Sequence, residues 1–133
     1  MQSLHRLASI ITVILFAYIL SFVYKLEITG CECAKDWRRT YIVAYSVYFI
    51  AVAAAQFYNP LSAVTRALVP VTLAAGLLFV VFTLQYVHRL QKEKCVCSDV
   101  IGRAVLYLVA AIDGAVYAIY ALIIVINALT LAL

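Results

Sequence analysis

The sequence predicts an all-α membrane protein: four transmembrane helices as two tandem helical hairpins. Three observations carry this. Of 133 residues, 68% are hydrophobic and 12% charged, and the mean hydropathy is +1.08. A soluble domain is about 45–50% apolar and about 25% charged, and a short chain hides only part of its surface on folding. The apolar residues gather into four runs close to the roughly 20 residues that a spanning helix needs. Finally, a shift of 64 residues aligns two charged islands, each with a Cys-x-Cys pair.

The first run, Leu7–Tyr24, is longer than the roughly 7–15 residues of a secretory signal core, and no A-x-A-like cleavage site follows it. "ITGC" looks like a lipoprotein cleavage site, but Lys25 and Glu27 separate it from the apolar run. The segment is expected to stay as a membrane helix. The second run is Thr40–Phe57 and the third Ala67–Val87. The fourth, Ala104–Leu133, is long enough to tilt or to leave its end in the interface. Spanning segments must satisfy their own backbone, so each run is read as a helix. Asn59-Pro60 opens the short turn over 58–66, and Pro70 is expected in the first turn of the third helix, where a missing N–H costs little. Tyr24, Tyr41, Tyr58, Tyr86 and Tyr107 fall near predicted ends, as an interfacial aromatic belt would.

The 64-residue shift pairs Val23 with Val87, Leu26 with Leu90, Cys31 with Cys95, Cys33 with Cys97 and Arg39 with Arg103. The chain therefore reads as one membrane domain over 1–133, with repeat one at about 7–57 and repeat two at about 67–133. Four spans put both islands on one face. That face holds Lys25, Lys35, Arg38, Arg39, Arg89, Lys92, Lys94 and Arg103, whereas the opposite face holds Arg6 and Arg66. Short loops obey the positive-inside rule, so the Cys-x-Cys loops are predicted to be cytosolic. Their charge suits anionic headgroups or an acidic protein partner. Nucleic acid is not an expected partner, because no extended soluble basic surface is present.

Cys31, Cys33, Cys95 and Cys97 could do several things. Four thiolates match the number tetrahedral zinc takes, although its usual spacing is C-x₂₋₄-C. Disulfides between the loops would staple the hairpins, against the reducing tendency of a cytosol. Juxtamembrane acylation and free thiols complete the alternatives, and zinc is the one cofactor this pattern raises. Around the cysteines, Asp36 reads as an N-cap, Trp37 as an interfacial anchor, and Arg38 and Arg39 as headgroup contacts. Ser98 or Asp99 would cap the fourth helix in the same way. Together Lys35, Trp37, Arg38, Arg39, Arg89, Lys92, Lys94 and Arg103 form the expected membrane-surface or partner-docking set.

Asp113 is the acid expected inside a span, with Tyr45, Tyr48 and Thr12 at comparable depth. An intramembrane carboxylate is costly and marks a functional or packing role. Ala110, Gly114 and Ala118 beside it form a small-xxx-small ridge suited to helix contact, within the bundle or between protomers. His5 and His88 are isolated, and neither a Ser/His/Asp set nor a Gly-rich phosphate loop is apparent.

Leu26, Glu27, Cys31, Cys33, Ala34, Asp36, Trp37, Arg38 and Arg39 together resemble a motif of small multi-pass membrane proteins of nucleocytoplasmic large DNA viruses. That motif runs C-x-C-[SA], then an acid, Trp and Arg-Arg before an apolar helix. The resemblance implies a structural protein of a virion inner membrane or host endomembrane, without enzymatic activity. Its basic loops would face the capsid and dock minor capsid or scaffold proteins. Two further readings stand beside it. Cysteine pairs in same-side loops of four helices look like quinone-linked disulfide-forming enzymes, though those carry C-x-x-C. Asp113 and the small-residue ridge would suit a small oligomeric channel.

Overall fold

The computed structural model describes residues 2–59, 62–93 and 100–133. Four helices make up nearly all of them: α1 (Gln2–Ile28), α2 (Trp37–Tyr58), α3 (Ala63–Lys92) and α4 (Val100–Ala132), with a 3₁₀ turn at Glu32–Ala34 between α1 and α2. All four are long and apolar enough to cross a membrane. At 1.5 Å per residue they measure about 33–50 Å, more than the roughly 30 Å of hydrocarbon. Each helix starts before the apolar run that announced it. The charged and small residues flanking the runs stay helical where water and headgroups begin. The protein is an integral membrane protein of the all-α class.

α1 packs on α2, α2 on α3 and α3 on α4, with a smaller contact between α1 and α4. The buried positions repeat with the cysteine offset. On α1 and α3, Ile19, Phe22, Val23 and Leu26 match Thr83, Tyr86, Val87 and Leu90. On α2 and α4, Ile42, Tyr45 and Ser46 match Leu106, Val109 and Ala110. The C-terminal ends Ile28 and Lys92 stand at the same offset. Two hairpins that bury equivalent seams against each other form one core, which neither seam could close alone.

The two hairpins differ in how they use these positions. Tyr86 replaces Phe22 and adds a hydroxyl. Thr83 replaces Ile19, and its buried hydroxyl has no hydrogen-bond partner. Tyr41, Tyr45 and Tyr48 fall at i, i+4 and i+7, so one face of α2 carries three hydroxyls. Tyr41 Oη donates to the Ala75 carbonyl at 2.7 Å. Thr72 Oγ1 donates to the Leu68 carbonyl, so Tyr48 Oη is the donor in its 2.8 Å contact with Thr72. The Tyr45 ring stacks on Phe79 with centroids 4.6 Å apart. Such bonds tie α2 to α3 where lipid would offer the hydroxyls nothing.

Two sequence expectations need correction. Pro70 lies inside α3, not in its first turn, because the helix begins at Ala63. Its missing N–H therefore removes an i→i−4 bond from the helix interior. Tyr86 is fully buried, not part of an interfacial belt, whereas Tyr24, Tyr58 and Tyr107 are exposed as a belt requires.

Candidate functional site

The end of the bundle that carries the first Cys-x-Cys pair is built by local rules, then locked by distant ones. α1 stops at a Schellman motif. Gly30 adopts φ +65°, its N–H bonds to the Glu27 carbonyl at 3.2 Å, and the Cys31 N–H bonds to Leu26 at 3.3 Å. Glycine takes that left-handed conformation without a Cβ penalty. The chain reverses there and delivers Cys31 into the interior, 4% exposed. The 3₁₀ turn follows, and Ala34 is fully buried. α2 then begins on an N-cap: Asp36 Oδ1 accepts from the Arg38 N–H at 3.4 Å.

Asp36 is also the hub of a clasp between the hairpins. Its Oδ2 lies 2.8 Å from Arg38 Nη1 and 2.9 Å from Arg89 Nη1 of α3, with the carboxylate side chain 4% exposed. Arg38 Nε donates to Gln85 Oε1 at 3.0 Å, and Tyr86 Oη donates to the Ala34 carbonyl at 2.9 Å. Trp37 stays 59% exposed with its ring edge-on to Phe82. Burial pushes the Asp36 carboxyl up. Hydrogen bonds from Arg89 and Arg38 and the Arg38 charge more than offset that, and hold it below its ordinary value.

The expected docking residues therefore divide. Arg38 and Arg89 hold Asp36, and Arg89 also pairs with Glu93 at 3.1 Å. Lys35 pairs with Glu32 on the surface, a contact of little energetic weight. Among the described residues, Lys25, Arg39, Lys92 and Arg103 form no ion pair and supply the free positive charge of this face. Lys94, Cys95, Cys97, Ser98 and Asp99 lie outside the described residues.

Cys31 and Cys33 are both disulfide-bonded. Their sulfurs are 3.6 Å apart, too far for a bond to each other and, with both oxidised, without a thiol proton to share. Zinc takes cysteine as thiolate, so a four-thiolate centre that uses this pair is not the arrangement found. Nor is either sulfur a free nucleophile for acylation. Among the described residues, no three metal-ligating side chains cluster.

Within the membrane, Asp113 is half-buried on α4. The Tyr45 and Tyr117 hydroxyls both lie against Gly76 of α3. Gly76 of α3 makes room for them: a Cβ there would fall 2.9 Å from Tyr45 Oη and overlap Tyr117 Oη. Thr12 instead lines a cleft with Ser9, Gln56 and Thr72. The small-residue ridge is buried at Ala110, half-buried at Gly114 and exposed at Ala118. From Ala118 to Leu133 every residue of the chain is exposed. Gly102 of α4 packs directly on α1, where a Cβ would overlap the Phe22 ring.

No family model matches this chain, and no curated protein or solved structure is significantly similar to it.

Proposed function

We propose that this is a non-enzymatic structural membrane protein whose loop face holds a partner protein against the bilayer. The observation that carries the reading is the fixed state of that face. Asp36, Arg38, Arg89 and Tyr86 tie the first loop to the second hairpin, while Lys25, Arg39, Lys92 and Arg103 keep free charge around it. A binding surface held before contact loses less entropy on association than a mobile loop. An acidic or amphipathic segment of a partner is the complement such a face would meet. Following the resemblance in the first island, the membrane is a virion inner membrane or the host membrane that gives rise to it. The partners are then minor capsid or scaffold proteins. The lysine and arginine bias places the loops on the cytosolic side, which becomes the capsid-facing side of the particle.

Amine-reactive cross-linking of assembled particles tests this. Lys35 and Lys92 are expected to link to a capsid or scaffold protein, and the link should be lost when Arg39 and Arg103 are both replaced by glutamate. Particles that lack the chain, or lysines that link only to lipid-facing neighbours, would refute it.

One observation favours a second reading, a membrane thiol–disulfide oxidoreductase: the first cysteine pair is oxidised. Against it stands burial, because exchange needs a reachable sulfur and an activated thiolate, and Cys31 is 4% exposed. With a quinone and a reduced protein substrate present, disulfide transfer by Cys33→Ser and Cys97→Ser is expected to equal that of the unaltered chain, at background. Turnover above background that either substitution abolishes would establish the enzyme.

A further inference from the structure

We propose that a groove between α1 and α2, at the end of the bundle away from the first loop, binds one glycerophospholipid. Its phosphate would meet Arg6 and its acyl chain would fill the groove. The two helices pack closely over only part of their length. Toward the loop, Phe16 and Phe49 meet with ring centroids 4.8 Å apart. Among the described residues, burial on α1 begins at Phe16. Toward the other end, α2 presents Ala53 and Ala54 where larger side chains would close the seam. A cavity of about 270 Å³ remains there, walled by Ile10, Val13 and Ile14 of α1 and by Ala53, Ala54 and Phe57 of α2. Ile10 and Ile14 are exposed, so the groove opens on the outer surface of the bundle, where lipid lies.

Its depth matches one leaflet. The first membrane span begins at Arg6 and the second ends at Tyr58, which puts the mouth at the bilayer surface. Arg6 to Ile14 covers about 12 Å of helix at 1.5 Å per residue. One leaflet contributes about 15 Å, half of the roughly 30 Å of hydrocarbon. The groove therefore runs alongside acyl chains. Left empty, its walls would forfeit dispersion contacts, and an acyl chain has the shape and polarity to restore them.

Arg6 is what selects a phospholipid. Its guanidinium carbon lies 5.8 Å from the centroid of the Phe57 ring, a cation–π arrangement that holds the charge beside the mouth. Among the described residues, Arg6 forms no ion pair. A guanidinium offers a phosphate two parallel hydrogen bonds. Tyr58 lines the same mouth and is exposed, as an aromatic at the headgroup level would be. Free phosphate would satisfy Arg6 and leave the groove empty. Diacylglycerol would fill the groove and leave Arg6 unpaired. A phospholipid does both, and at the opposite face from the docking loop.

Native mass spectrometry of the full chain in detergent, titrated with phosphatidylglycerol, tests the site. One lipid per chain is expected to bind saturably. Arg6→Gln should weaken that binding about fivefold, the effect of one basic side chain at a headgroup. Ala54→Phe fills the groove and should abolish it. Arg6 and Ala54 are both exposed, so circular dichroism should show the helices of these variants unaltered. Diacylglycerol should bind about fivefold more weakly than phosphatidylglycerol and be indifferent to Arg6→Gln. Arg66→Gln, at the other cation of that face, should leave affinity unchanged. Equal affinity in Arg6→Gln and the unaltered chain would overturn the proposal, as would retention in Ala54→Phe. So would diacylglycerol binding as tightly as phosphatidylglycerol, or a loss in Arg66→Gln as large as in Arg6→Gln. None of these readouts involves the lysine cross-links to a partner, so each idea can fail alone.

Discussion

Gly102→Ala is expected to destabilise the bundle by about 2 kcal/mol, although alanine is the better helix former. The added Cβ would overlap Cδ2 and Cε2 of Phe22. Phe22 is 5% exposed and packed in the core, so its ring has little room to retreat. Overpacking of this kind costs roughly 1–3 kcal/mol, and here α1 and α4 must separate to relieve it. Replacing glycine in a helix returns up to about 1 kcal/mol; an overlap this deep against a buried ring belongs at the top of the overpacking range, which leaves a net loss of about 2 kcal/mol. Thermal unfolding in detergent, followed by circular dichroism, measures it. Gly102→Ala combined with Phe22→Leu should recover much of the loss, because the clash is with the ring edge. Gly114→Ala is the control. Its Cβ would meet Val80 Cγ1 at an ordinary 3.5 Å, so that variant should be neutral or slightly more stable. Equal losses in both variants would show that the Phe22 contact is not what demands glycine at 102.

That contrast shows what the sequence could convey. The Ala110, Gly114, Ala118 spacing is visible on one helix, so it drew attention, but the residue that decides close approach is the ring opposite. Gly102 and Gly76 matter because of Phe22 and Tyr117, and no pattern along α4 or α3 alone reveals those partners. The four spans were legible because bilayer thickness imposes a length on apolar runs. The Asp36 cap was legible because a cap bonds two residues ahead. Gly30 could have been found by the same local logic, as the glycine just past an apolar helix. Arg89 and Tyr86 could not, for their partners lie about fifty residues away in the chain. Along the sequence Arg89 reads as one of the membrane-surface or docking residues and Tyr86 as a belt tyrosine; their partners exist only where α3 lies beside the first loop.

The same long-range clasp sets the second large effect. Asp36→Ala is expected to cost about 2–3 kcal/mol and to free the first loop from α3. Loss of an N-cap accounts for about 1 kcal/mol. The remainder comes from two guanidinium groups deprived of their shared carboxylate. Stranding a fully buried charge costs roughly 3–5 kcal/mol, but Arg38 and Arg89 are 26% and 38% exposed and can turn toward water or headgroups, which lowers the penalty. Asp36→Asn keeps an oxygen for the Arg38 N–H and loses only the charge, so it should cost about half as much. The pH dependence separates the two contributions. Asp36 titrates below its ordinary 3.8 in the folded protein, so its contribution is complete above the unfolded value. It is lost as pH falls through the lower folded value, when the carboxyl takes up a proton and releases both arginines. Unfolding scans from neutrality to below pH 3.8 should therefore show the unaltered chain losing stability that Asp36→Asn never had, with the two curves converging in acid. Parallel curves over that whole range would mean that Asp36 holds α2 as a cap alone and that the clasp to Arg89 adds nothing.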